Sequence, residues 1–206
     1  MMSFVTSLIF HKAFKWGLTS LIILLSVVYI TRIFASGDKP HTHLPLYQIP
    51  LTTVQGNPFT LQKYQGKVIL LVNVASRCGF TPQYEDLEAL YQRFKKDGLV
   101  VIGLPCNDFL GQEPGTEDDI LNFCQTKYNV TFPLTSKIQV QGKGKHPLYA
   151  FLTDKTANPS FGGPISWNFN KFVIGRDGTV LKRYPSRVSP SSQSFISDIS
   201  QFLSQK

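Results

Sequence analysis

The sequence predicts an α/β fold with a central mixed β-sheet flanked by helices. Three observations carry this expectation. Residues 67–74 and 99–104 are near-continuous runs of β-branched and apolar side chains, the pattern of strands buried on both faces. Each is followed by a segment with helix-start residues and apolar side chains at helical spacing. Residues 172–174, a Gly175-Arg176-Asp177-Gly178 turn and residues 179–181 then read as a hairpin, with an amphipathic segment after it. Strand-helix-strand-helix followed by a hairpin and a helix packs as helices laid on one mixed sheet.

The chain begins with a different kind of segment. Trp16 to Thr31 run sixteen positions without a charge, between Lys12 and Lys15 on one side and Arg32 and Lys39 on the other. A helix of that length spans about 24 Å, short of a roughly 30 Å hydrocarbon core. Snorkelling by Lys15 and Arg32 can close the gap. The same segment has the basic, apolar and small-residue regions of a signal peptide, with Ala35-Ser36-Gly37 as the cleavage site. Residues 1–36 are therefore expected to be a signal peptide or a membrane anchor, that is, an N-terminal hydrophobic helix. Both options export the rest of the chain to a periplasmic or other extracytoplasmic face. Residues 37–46 read as a Pro-containing linker, and 47–206 as one domain.

Within that domain, residues 51–54 and 59–61 flank a Gln55-Gly56-Asn57-Pro58 turn and predict a hairpin. After the first buried strand, Thr81 is placed to cap a helix and Pro82 to occupy its first turn. Tyr84, Leu87, Leu90, Tyr91 and Phe94 come next at helical spacing, and Lys95-Lys96-Asp97-Gly98 ends the helix. Thr116 and Asp119 form a capping box for a helix reaching about Tyr128. Ser189-Pro190 leads into a last helix carrying Phe195, Ile199 and Phe202.

Composition narrows the function. The formal charge is +8, of which about three units lie in residues 1–40. The remainder is interleaved with acids and shows no basic cluster with spaced aromatics, which argues against nucleic acid. The four histidines and three cysteines have no metal-ligand spacing. The cysteines, Cys78, Cys106 and Cys124, are either three core residues or a redox set.

Cys78 decides between these. It sits in a short turn between a buried strand and a helix start, where partial positive charge and free N–H groups favour a thiolate, the reactive form of cysteine. A reactive thiolate needs donors for its charge and often a second thiol to resolve its oxidised form. Gln112, in the Gly- and Pro-containing loop 104–115 after the second strand, offers an amide. Trp167 and Asn168, in Ile165-Ser166-Trp167-Asn168-Phe169-Asn170-Lys171-Phe172-Val173, offer an indole N–H and a second amide just before a strand. Cys124, in Asn122-Phe123-Cys124-Gln125-Thr126-Lys127-Tyr128, offers a thiol toward the end of a helix that reads as exposed.

Taken together and in this order, these segments resemble the signature regions of the glutathione peroxidase family, from about Tyr47 to about Phe202. The resemblance implies a thioredoxin-like fold. It implies Cys78 as the peroxidatic residue, with Gln112, Trp167 and Asn168 completing the catalytic site. Asp108 and Leu110 stand where Gln and Gly are more usual in the family, a difference that bears on substrate access. Cys124 resembles the resolving cysteine of thioredoxin-dependent members. The short stretch between His146 and Trp167 lacks the insertion of oligomeric, glutathione-using members and implies a monomer. Cys106 resembles a third family cysteine and is expected to be structural.

The implied activity is thiol-dependent reduction of hydrogen peroxide and organic or lipid hydroperoxides. No metal or organic cofactor is expected; the co-substrate is a thioredoxin-like dithiol protein or glutathione. A thiol-disulfide oxidoreductase would place a second cysteine at position 81, where Thr81 stands. A membrane-tethered redox relay and a glutathione-dependent one-cysteine peroxidase are the remaining alternatives.

Overall fold

The computed structural model describes residues 45–205. The expected N-terminal helix and nearly all of the expected linker lie outside the described residues. Among the described residues, no helix is long and apolar enough to cross a membrane.

The elements come in the expected order. A hairpin of β1 (Pro50–Thr52) and β2 (Pro58–Thr60) precedes β3 (Val68–Val74), α1 (Gln83–Phe94) and β4 (Leu99–Pro105). Helix α2 (Glu117–Tyr128) comes next, then a short α3 (Pro147–Thr153), β5 (Lys171–Ile174), β6 (Val180–Tyr184) and α4 (Gln193–Ser204). The four longer-range strands form one sheet in the order β4-β3-β5-β6. β3 and β4 are parallel, whereas β3–β5 and β5–β6 are antiparallel. This is a thioredoxin-like α/β arrangement with a mixed central sheet.

Alternation along the central strands builds two cores. Val68, Leu70, Val72 and Val74 of β3 face a core completed by Tyr84, Leu87 and Leu90 of α1, Ile120 and Cys124 of α2, and Phe195 and Ile199 of α4. Ile69 and Leu71 face the opposite side, against Leu148, Tyr149 and Leu152 of α3 and Leu51 of β1. A strand buried on both faces needs this apolar continuity, and all seven β3 residues are buried.

Several local expectations need correction. The Thr116–Asp119 capping box is present in full. Thr81 does not cap α1: its hydroxyl accepts from Cys78 N at 2.9 Å and donates to Ala75 O at 2.9 Å, closing the preceding turn instead. Residue 46 falls in the expected linker, yet Leu46 opens a 3₁₀ turn through Gln48 and is buried. The sequence pattern missed α3 because seven residues are too few to show a helical period. His146 caps that helix, its Nδ1 accepting from Leu148 N at 3.2 Å.

Candidate active site

Three segments meet at one edge of the sheet. β3 and β4 run in parallel and end together, with Asn73 opposite Leu104 and Val74 opposite Pro105. β5 runs the other way, with Lys171 opposite Val72, so the loop before it arrives at the same edge. The Cys78 turn, the 106–115 loop and the 165–170 loop are thereby juxtaposed, although 94 positions separate Asn73 from Trp167.

Backbone and side-chain hydrogen bonds lock the convergence. Arg77 N donates to Gln112 O at 3.0 Å, tying the Cys78 turn to the second loop. Asn168 Nδ2 donates to Gln112 Oε1 at 2.9 Å, tying the second loop to the third. Asn73 fixes the third loop to β3: its Nδ2 donates to Trp167 O at 3.0 Å and its Oδ1 accepts from Asn170 N at 3.0 Å. Phe169 N closes the set by donating to Asn73 O at 2.6 Å. Phe169 holds this loop at φ 61°, a left-handed backbone offset by complete burial of its ring, edge-on to Tyr84 at 5.6 Å.

Cys78 lies in this junction, 8% exposed, and its Sγ accepts from Phe80 N at 3.4 Å. That backbone donor is what the strand-to-helix turn is expected to supply. Trp167 is partly exposed and packs on Phe109 with ring centroids 5.5 Å apart. Neither its indole N–H nor Gln112 Nε2 has a protein acceptor among the described residues, so both donors are available to a bound molecule. Asn168 differs: it is fully buried, its Nδ2 is engaged by Gln112, and its Oδ1 has no partner. One amide hydrogen of Asn168 is thereby held by Gln112.

The sequence pattern did not single out Asn73, Ser76 or Glu113. Glu113 is 1% exposed; Ser76 Oγ donates to its Oε1 at 2.6 Å, while its Oε2 has no partner. Burial pushes its carboxyl up from the ordinary value, opposed by the Ser76 hydrogen bonds. A cleft of about 320 Å³ opens here, lined by Ser76, Arg77, Glu113, Asp119, Ile120 and Phe123. The readable signal for Asn73 was a single amide inside an otherwise apolar strand.

The other two thiols separate by face. Cys106 is fully buried in the α3 core, on the side of the sheet opposite Cys78, and burial pushes its thiol up to about 12. Cys124 shares the Cys78 core and is also fully buried, which corrects the expectation of an exposed helix face. Burial pushes its thiol up to about 11. The Tyr84 hydroxyl is its near neighbour but lies outside hydrogen-bond geometry. All three cysteines are free. Among the described residues, no cluster of three or more His, Cys, Asp or Glu side chains is placed to hold a metal.

A family model for glutathione peroxidase matches residues 46–153, more than half of the chain. The chain belongs to the glutathione peroxidase family. It is 47% identical over 163 residues to the hydroperoxy fatty acid reductase gpx1 of Synechocystis sp., covering 77% of this chain and 95% of that one. It is 47% identical over 148 residues to the glutathione peroxidase-like peroxiredoxin HYR1 of Saccharomyces cerevisiae, covering 72% and 91% of the two chains. The crystal structure of Trgpx in apo form superposes with a TM-score of 0.62 at 36% identity, covering 78% of this chain and 96% of that one. Like other glutathione peroxidases, this chain is a thiol peroxidase that reduces hydroperoxides at the expense of a thiol co-substrate.

Proposed function

We propose that this glutathione peroxidase reduces hydrogen peroxide and organic or lipid hydroperoxides through a two-cysteine cycle. Cys78 thiolate attacks the terminal peroxide oxygen; the O–O bond breaks, leaving Cys78 sulfenic acid and an alkoxide that is protonated to alcohol. Trp167 Nε1 and Gln112 Nε2 donate to the developing oxyanion, with Asn168 and Asn73 holding them in place. Cys124 then attacks the sulfenic sulfur, forming a disulfide and releasing water. A thioredoxin-like dithiol protein reduces that disulfide, and no prosthetic group takes part.

The observation that carries this proposal is the junction of the Cys78 turn, Gln112 and Asn168 at one sheet edge, closed by the Arg77–Gln112 and Asn168–Gln112 hydrogen bonds. The separation of Cys106 onto the other face supports Cys124 as the resolving thiol. The name of the Synechocystis relative supports a fatty-acid hydroperoxide as one substrate. The working unit is residues 47–206 as a monomer, exported behind residues 1–36 as a signal peptide or membrane anchor, with no nucleic-acid partner. Fractionation of cells producing the full chain checks the export; an unprocessed chain in the soluble cytosolic fraction would contradict it.

The experiment for the chemistry is steady-state peroxide reduction by the full chain, with thioredoxin and its reductase compared against glutathione and its reductase. Thioredoxin-driven turnover that is lost in Cys124→Ser and in Cys78→Ser is expected. Turnover with glutathione alone, unaffected by Cys124→Ser, replaces this cycle with a one-cysteine mechanism. Peroxide consumption by Cys78→Ser overturns the assignment of the peroxidatic residue.

A further inference from the structure

The turn from Phe109 to Gln112 carries a side chain that the fold does not use. Gln112 N donates to Phe109 O at 3.2 Å, and both central residues are left-handed, Leu110 at φ 53° and Gly111 at φ 63°. Two successive positive φ angles in a hydrogen-bonded four-residue turn are the pattern of a type I′ turn, which favours Gly, Asn or Asp at its first central position. Leucine is a poor choice there, because in this backbone its Cβ crowds the following carbonyl. Burial gives nothing back, since Leu110 is 83% exposed and is the single large apolar side chain so exposed among the described residues. An exposed leucine alone is ordinary. One that is also held against its conformational preference calls for a use outside folding.

The position of the turn supplies that use. One end, Phe109, is buried with its ring against Trp167. The other end, Gln112, is hydrogen-bonded to Asn168 and to the backbone of Arg77, next to Cys78. Leu110 therefore stands at the rim of the catalytic junction, on a turn pinned at both ends by residues of the site. Phe80 and Trp167, both partly exposed, pack on the core that contains Cys78 and add apolar surface there.

We propose that Leu110 is a specificity-determining residue, whose side chain covers the hydrocarbon tail of an organic hydroperoxide while its peroxide group reaches Cys78. This rests on the peroxidase cycle proposed above and names the part of the substrate that the rim recognises. Hydrogen peroxide has no tail and gains nothing from the contact. An alkyl or aryl hydroperoxide removes its own apolar surface and that of Leu110 from water, in the ground state and in the transition state alike.

The test compares hydrogen peroxide, cumene hydroperoxide and linoleic acid hydroperoxide below its micellar concentration, using the full chain and three variants. Leu110→Asn suits the left-handed backbone and removes the apolar surface; Leu110→Gly removes both strain and side chain; Leu110→Met keeps the apolar surface. For Leu110→Asn and Leu110→Gly, kcat/KM for both organic hydroperoxides is expected to fall about tenfold, the factor that a partly buried leucine side chain supplies. The value for hydrogen peroxide should stay within about twofold, and melting temperature should not fall, because a side chain 83% exposed has little packing to lose. Leu110→Met should retain the wild-type preference. A wild type that is active but whose substrate ratio is unchanged by Leu110→Asn overturns this inference alone, as does an equal loss on all three peroxides. A folded wild type inert to every hydroperoxide overturns the peroxidase cycle and the inference with it.

Discussion

Trp167 and Phe109 touch ring to ring, so the indole has two separable roles: it packs, and it presents an N–H with no protein acceptor among the described residues. Trp167→Phe keeps an aromatic ring on Phe109 and removes the N–H. Loss of one preorganised donor to a developing oxyanion costs roughly a hundredfold or more in acyl-transfer enzymes. Here Gln112 and the Phe80 backbone N–H remain, so at least a tenfold slower formation of Cys78 sulfenic acid is expected, measured by stopped-flow mixing of reduced enzyme with hydrogen peroxide. An unchanged rate would confine Trp167 to packing. The segments of Cys78, Gln112, Trp167 and Asn168, each a weak signal alone, were picked out by their joint order, and the structure brings them to one sheet edge. Asn73 and Glu113 were not picked out, because their roles arise only when distant segments meet. Asn73 bonds a loop 94 positions away, and Glu113 receives Ser76 across 37 positions.

In the proposed cycle, resolution turns on helix α2, which holds the Cys124 thiol in the core. In place, the thiol is pushed from 9.0 up to about 11, which at neutral pH lowers its thiolate fraction roughly a hundredfold. A disulfide also requires Cα atoms within about 7 Å, and the two thiols start on different elements. Opening of α2 would deliver Cys124 to the sulfenic sulfur and restore its nucleophilicity in one motion. The cleft between the Cys78 turn and α2, lined by Ile120 and Phe123, lies beside the helix segment that would move. The start of α2 is fixed by the capping box: Asp119 N donates to Thr116 Oγ1 at 3.2 Å, and Thr116 N to Asp119 Oδ2 at 2.9 Å. Thr116→Ala removes half of it and should weaken the helix by about 1 kcal/mol. If opening precedes attack, disulfide formation after a single peroxide addition should be about fivefold faster, with the sulfenic-acid step unchanged. An unaltered resolution rate would show that the helix start stays closed during the cycle. The capping box was visible in the sequence because it is local. The burial of Cys124 was not: Ile120 and Cys124, four positions apart, make an apolar stripe too narrow to reveal which face meets the sheet.

At the scale of the whole molecule, strand and helix order was legible from apolar runs and turn residues, but pairing was not. That β5 joins β3, and so brings the Trp167 loop to the sheet edge that carries the Cys78 turn, is a non-local fact that no single window contains. The same pairing creates an unexpected cost. Lys171 opens β5, is fully buried, and donates from Nζ to Val188 O at 2.8 Å and Ser186 O at 3.2 Å, two neutral acceptors. Burial pushes its ammonium down to about 7; Asp86, which Ser189 and Ser191 also engage, opposes the shift. The unfolded chain keeps this proton up to about 10.4, whereas the folded chain releases it near 7. Between those values the unfolded state binds more protons, so stability rises with pH. From pH 7 to pH 8.5 the rise due to Lys171 should be about 1.5 kcal/mol. Cys106 and Cys124 act in the opposite sense at higher pH, because their raised folded values keep protons that the unfolded chain loses. The difference between wild type and Lys171→Met removes that contribution, as it does the low-pH effect of His146, whose imidazole burial pushes down. Lys171→Met also loses two hydrogen bonds, so its absolute stability can lie on either side of wild type, and the slope is the quantity to read. Urea unfolding of the reduced proteins at pH 7 and 8.5 should show the wild type gaining on the variant by that amount. Parallel pH profiles would mean that Lys171 stays charged in the folded protein, its ammonium adequately solvated by the two carbonyls and Asp86.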